Sequence, residues 1–154
     1  NRCQDSAIAD GLRAVRWPLR IEVLRTSPLV IADAAHNPAS MVALIATLRS
    51  VRAGRRMAIF AAARDKDVAE MLRLAAGFFD RIVLTQFTNN PRATPIAELA
   101  ACADAAGVEQ LTVAETPLAA WQTTLADARP DDLICITGSF FLGAELRDFV
   151  LAHA

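Results

Sequence analysis

The chain has 154 residues, 54% of them hydrophobic, which suits one domain with a sizeable core and leaves no room for a second full domain. Its 16 basic and 17 acidic residues give a net charge of −1, so no broad field favours nucleic acid or an anionic membrane, and any anion must be bound locally. No apolar run approaches the ~18 residues that span a bilayer, no signal-peptide layout opens the chain, and Cys3, Cys102 and Cys135 are too scattered for a metal set; a soluble cytoplasmic protein is expected.

Residues 5–14 read as a helical lead-in that Trp17-Pro18 breaks. The run 19–25 (LRIEVLR) alternates, with Leu19, Ile21 and Val23 set against Arg20, Glu22 and Arg25, and only Thr26 and Ser27 join it to the next run, 28–33 (PLVIAD). Two residues cannot make a parallel crossover, so this first strand is expected to be antiparallel. Met41, Leu44, Ile45, Leu48 and Val51 then recur at three and four, the spacing of a helix face. Strand runs at 56–62, 81–86, 110–114 and 132–138 follow, alternating with helical faces. Those faces are Val68, Met71, Leu72 and Ala75; then Ile96, Leu99 and Ala103; then Leu118, Trp121 and Leu125; and finally Leu142, Leu146, Phe149 and Val150. The runs LVIA, MAIF and LICI are apolar on both faces, as strands covered by helices on each side are. The predicted fold is α/β: a Rossmann-like, doubly wound, mostly parallel sheet of about six strands with an antiparallel first strand and about five helices.

Ligands of such sheets bind beyond the carboxyl ends of the strands. Asp33 to Pro38 closes the second run, Arg64-Asp65-Lys66-Asp67 the third, Asn89-Asn90-Pro91-Arg92 follows the fourth, and Thr137-Gly138-Ser139 closes the last. Asn37 and Pro38 are a good N-cap and first helical residue. Asp33 and His36 are not needed to start that helix, and are either ligand groups or a locally hydrogen-bonded pair. Ser139 either caps the last helix or, with the free amides of that helix start, meets an anion such as a carboxylate or phosphate. First-turn acids account for Asp65 and Asp67 but not for Lys66, the only lysine. The 154 residues contain no G-x-x-x-x-G-K-[ST], no G-x-G-x-x-G after a strand and no G-x-S-x-G, so the rim has binding groups without a nucleophile and base: half of an active site.

The segments W-P-L-R at 17–20, DAAHNP at 33–38, RDKD at 64–67, PRAT at 91–94 and TGSFF at 137–141 occur in the order and spacing of the C-terminal domain of the Mur ligase superfamily. Within it the chain most resembles the bacterial folylpolyglutamate synthase/dihydrofolate synthase family, over essentially its whole length. It departs where the family usually has glycine, at Leu19, and often glycine or valine, at Ala34. The resemblance implies that residues 1–16 are the tail and hinge of a missing N-terminal ATPase domain that carries the P-loop and most of the Mg2+ site, and that 17–154 are the Mur ligase C-terminal domain. It implies ATP-dependent addition of L-glutamate to dihydropteroate or folate through an acyl phosphate, by a monomer, with this fragment inactive alone. Carried over by position, Arg20 and His36 would be catalytic; Arg20, Asp33 and His36 would bind ATP; Ser139 would bind glutamate; Lys66 and Arg92 would stand on the rim. The alternatives are another Mur-type amino-acid ligase and a non-catalytic, doubly wound nucleotide-binding module.

Overall fold

From residue 19 onward every apolar run becomes a strand and every segment of helical period a helix, in the order the sequence sets. The structure is a computed structural model that describes residues 10, 11, 15 and 17–153. The strands are β1 (Glu22–Thr26), β2 (Leu29–Ala32), β3 (Arg56–Phe60), β4 (Arg81–Leu84), β5 (Leu111–Val113) and β6 (Leu133–Thr137). The helices are α1 (Pro38–Leu48), α2 (Val68–Ala76), α3 (Ile96–Ala105), α4 (Pro117–Asp127) and α5 (Phe140–Ala152). The lead-in expected over 5–14 and the hinge assigned to 1–16 lie largely outside the described residues.

The sheet order is β1-β2-β6-β3-β4-β5. β1 pairs antiparallel with β2, with Thr26 opposite Leu29 across the Ser27-Pro28 turn, and the remaining pairs are parallel. β6 lies between β2 and β3, and all five of its residues are buried. Its alternate side chains feed two separate cores. Leu133 and Cys135 join Met41, Leu48, Met71, Leu72 and Leu99 of α1, α2 and α3, whereas Ile134 and Ile136 join Trp121 of α4 and Leu142, Leu146 and Val150 of α5. Each such apolar side chain contributes about 1.5–3 kcal/mol on full burial, so two-faced strands are what this sequence can bury.

This order places a topological switch at β6. The connections leaving β2 and β3 cross one face of the sheet, while α4 and α5, before and after β6, cover the other. The loops that follow β2, β6 and β3 therefore diverge at one edge and leave a crevice, the place where open α/β sheets bind ligands.

Three helical or strand faces differ from the pattern. Val23 is 52% exposed and Leu24 5% exposed, the reverse of the alternation expected for 19–25. The reason is that Leu19 and Ile21 have φ of 59° and 48°, so the strand starts only at Glu22, and its register shifts between Val23 and Arg25. In α4 the buried side is Pro117, Ala120, Trp121 and Thr124, leaving Leu118 40% exposed. Thr124 enters the core by donating its hydroxyl to the Ala120 carbonyl at 2.7 Å, which satisfies it inside its own helix. Val51 lies past the end of α1 and is only half-buried.

Candidate functional site

The helix after β2 starts as the sequence predicts. Asn37 accepts from the Ser40 amide at 2.8 Å, Ser40 Oγ accepts from the Asn37 amide at 3.1 Å, and Pro38 occupies the first turn. Ser40 Oγ also accepts from the His36 amide at 3.0 Å. The His36 ring is thereby fixed at its backbone, and its Nδ1 lies 2.9 Å from the Ala34 carbonyl. A carbonyl only accepts, so Nδ1 carries the proton and Nε2 is the ring atom left to meet a ligand.

His36 lies between two hollows. The first, about 220 Å³, is lined by Arg20, Ile21, Asp33, His36 and Ser40, with Leu44 and Thr47 of α1 as its floor. The second, about 280 Å³, is lined by His36, Asp65, Lys66, Arg92, Gly138, Ser139 and Phe141. All six candidate residues thus reach the crevice, but not one common cavity: Arg20 and Asp33 line the first hollow, Lys66, Arg92 and Ser139 the second, and His36 belongs to both.

In the first hollow, Asp33 is an anchor before it is anything else. Its Oδ2 accepts from the Ile21 amide and its Oδ1 from the Ala35 amide, both at 2.9 Å. The Ala34 amide donates to the Leu19 carbonyl at 2.8 Å. These bonds hold residues 19–21 across the end of β2, and Arg20 stands out between its two left-handed neighbours with its guanidinium 5.6 Å from the Trp17 ring. Leu19 packs at α5, where a Cβ on Gly143 would come within 2.8 Å of its Cδ2.

The second hollow is built on the turn from β6 into α5. Gly138 has φ of 97°, and a Cβ there would lie 2.5 Å from the Ala61 carbonyl and 2.7 Å from the Phe60 ring; only glycine lets these backbones close. Ser139 is 4% exposed and caps α5 by accepting from the Phe141 amide at 3.1 Å, so its hydroxyl proton remains free to donate. Lys66 Nζ pairs with Asp65 at 2.9 Å, and that contact, above all, draws the Asp65 carboxyl below its ordinary range. Asp67 caps α2 by accepting from the Glu70 amide at 3.1 Å. Arg92 lies with its guanidinium 5.5 Å from the Phe141 ring. Its loop is tied to the β3 loop by the Arg64 amide on the Arg92 carbonyl at 2.9 Å and the Thr94 amide on the Ala62 carbonyl at 2.9 Å.

Sequence reasoning passed over three charged residues that shape this rim. Glu145 of α5 accepts from the amides of Thr88 and Asn89, both at 2.8 Å, and from the Thr88 hydroxyl at 3.1 Å, fixing the loop that carries Arg92. Glu22 accepts from the Leu19 amide at 2.9 Å and is gripped by the Arg147 guanidinium at 2.7–3.1 Å. The one local signal for Glu145 is an acid set beside the buried Leu142 and Leu146; nothing local joins Glu22 to Arg147. Among the described residues no group of three His, Cys, Asp or Glu side chains is placed to hold a metal, and no helix is long and apolar enough to cross a membrane.

Comparison with known proteins places this arrangement. The family described as "Mur ligase, glutamate ligase domain" matches residues 19–140. The folylpolyglutamate synthase of Lacticaseibacillus casei is 33% identical over 147 residues, covering 94% of this chain and 32% of that protein. The Mycobacterium tuberculosis folylpolyglutamate synthase complexed with ADP superposes with a TM-score of 0.86 at 31% identity, covering 97% of this chain and 36% of the other. A Yersinia pestis bifunctional folylpolyglutamate synthase/dihydrofolate synthase, solved with Mn, AMPPNP and L-glutamate bound, gives 0.85 at 27% identity, again over 97% and 36%. The chain thus spans about a third of the length of each of these relatives. With its six-stranded mixed sheet, five helices and glycine-bounded rim, the chain belongs to the glutamate ligase domain family of the Mur ligases.

Proposed function

We propose that this domain holds ATP and L-glutamate in register for amide formation on dihydropteroate or folate, together with an N-terminal ATPase domain of the same polypeptide. The observation that carries the reading is the pair of adjoining hollows that share His36, the first with Arg20 and the second with Lys66 and Arg92 on its rim. Two anionic partners that must react can be seated side by side there, and holding them so can supply roughly 7–11 kcal/mol of the barrier reduction. The solved relatives with ADP, and with AMPPNP and L-glutamate, support the same pairing of ligands.

On this reading Arg20 offers its planar fork to the nucleotide phosphates. His36 Nε2 and the lone pairs that Asp33 has left after accepting two amides accept from the ribose hydroxyls on the side of those phosphates. In the second hollow Ser139 donates its hydroxyl to a glutamate carboxylate at the positive end of α5, a position that favours an anion by about 0.3–1 kcal/mol when exposed. Lys66 and Arg92 add charge of the same sign. Mg2+ offsets phosphate charge when bound; the described residues do not gather a metal-holding set, and the reading leaves the metal to the ATPase domain.

Steady-state kinetics of the intact polypeptide, with ATP, L-glutamate and dihydropteroate or folate, test the assignment. Arg20→Ala is expected to lower kcat. Ser139→Ala is expected to raise KM for glutamate by up to about tenfold, the worth of one hydrogen bond of ~0.5–1.5 kcal/mol, while leaving KM for ATP in place. A Ser139→Ala enzyme altered only towards ATP would show that the two hollows have been assigned the wrong way round.

A further inference from the structure

We infer that Glu22 and Arg147, neither of which lines either hollow, form the positioning device that sets Arg20 at the first hollow. The inference rests on the reading above in which Arg20 meets the nucleotide.

Arg20 sits between two non-glycine residues in the left-handed region, Leu19 at φ 59° and Ile21 at φ 48°. Bulky and β-branched side chains rarely adopt that conformation, so the segment keeps it only because its surroundings over-determine it. Three backbone groups are tied. The Leu19 amide donates to Glu22 Oε2 at 2.9 Å, the Leu19 carbonyl accepts from Ala34 at 2.8 Å, and the Ile21 amide donates to Asp33 Oδ2 at 2.9 Å. The Asp33 end is rooted in β2, whose position the sheet fixes. The Glu22 end pairs through its backbone only with Ala32 of β2, in an edge strand whose register shifts one residue on, and nothing in that strand roots its carboxylate.

Arg147 supplies that root. Its Nε lies 2.9 Å and 3.1 Å from the two Glu22 oxygens, and its Nη2 lies 2.7 Å from Oε1, a forked contact that fixes the carboxylate's orientation as well as its place. The Leu19 side chain seats against Gly143 of the same helix. Helix α5 therefore carries the Arg20 segment on its middle turns while its first residues build the second hollow through Ser139 and Phe141. One rigid element sets both sides of the crevice, and the Glu22–Arg147 fork is the joint on the Arg20 side.

The test is a kinetic double-mutant cycle in the intact polypeptide with ATP, L-glutamate and folate, using Arg147→Gln, Arg147→Lys, Glu22→Gln and Arg20→Ala. Arg147→Gln and Glu22→Gln are each expected to lower kcat about tenfold with KM for glutamate unchanged. Arg147→Lys, which keeps the charge but loses the fork, should recover only part of the rate. Arg20→Ala combined with Arg147→Gln should be no slower than Arg20→Ala alone, because a joint has nothing left to position once its cargo is gone. Rate losses that multiply in the double variant, or full kcat in both Arg147→Gln and Glu22→Gln while Arg20→Ala is slow, would overturn the inference and leave the Arg20 reading intact. An Arg20→Ala enzyme with full kcat would instead overturn the reading of Arg20 and the inference with it. Should Arg147→Gln not fold, the isosteric Glu22→Gln and the charge-preserving Arg147→Lys carry the cycle.

Discussion

Leu19 offers a measurement of backbone strain that is separable from packing. It is 4% exposed and packed against Gly143, yet its φ is 59°. A left-handed conformation costs a side-chain-bearing residue roughly 1–2 kcal/mol, whereas burying a leucine contributes about 1.5–3 kcal/mol, so the side chain's seat on α5 offsets the strain. Leu19→Ala removes the seat and keeps the strain, and is expected to destabilise by about 2–5 kcal/mol. Leu19→Gly removes the seat and the strain together, and is expected to be about 1–2 kcal/mol more stable than Leu19→Ala. At an ordinary helix or strand position the order is reversed, with glycine roughly 0.5–1 kcal/mol worse than alanine. Urea unfolding followed by circular dichroism reads the difference. With a slope of about 1–3 kcal/mol per molar, a gap near 1.5 kcal/mol separates the two midpoints by about 0.5–1.5 M. A Leu19→Gly midpoint at or below that of Leu19→Ala would refute the argument that backbone geometry, and not only packing, governs this position.

Gly138→Ala combines a disfavoured φ of 97° with a Cβ 2.5 Å from the Ala61 carbonyl, and is expected to cost about 2–4 kcal/mol in the same urea assay; a loss below about 1 kcal/mol would show that the crevice floor adjusts freely. The fork from Arg147, aided by the Leu19 amide and working against partial burial, holds the Glu22 carboxyl below its ordinary range. The ionised form is favoured in the fold, so the contact stabilises fully above the unfolded carboxyl value of about 4.3 and is lost as pH falls through the lower folded value. The difference in urea midpoint between the natural chain and Glu22→Gln is therefore expected to stay constant above about pH 6 and to shrink below about pH 4; a difference that persists undiminished in acid would show that the fork does not depend on the Glu22 charge.

Local chemistry made much of this protein legible from its residues alone. Two residues between 19–25 and 28–33 forced an antiparallel first strand, two-faced apolar runs implied helices on both sides of a parallel sheet, and Asn37-Pro38 wrote its own helix start. The same chemistry placed Asp33, His36, Lys66, Arg92 and Ser139 at the carboxyl edge, since strand ends and helix starts are set by short-range signals, whereas Arg20 was pointed to only by the family resemblance. Packing decided the rest. No period in the sequence announces that Leu19 and Ile21 turn left-handed, that Val23 and Leu24 exchange faces, or that His36 divides the crevice in two. Glu22 meets Arg147 across 125 residues, and Thr88 meets Glu145 across 57. Such contacts exist only once the switch at β6 has brought α5 beside β1 and the loop after β4. Propensity and periodicity act over a few residues, and they fix which groups stand at the edge. The angle at which Arg20 is presented depends on charges and methyl groups that only the completed sheet brings within reach.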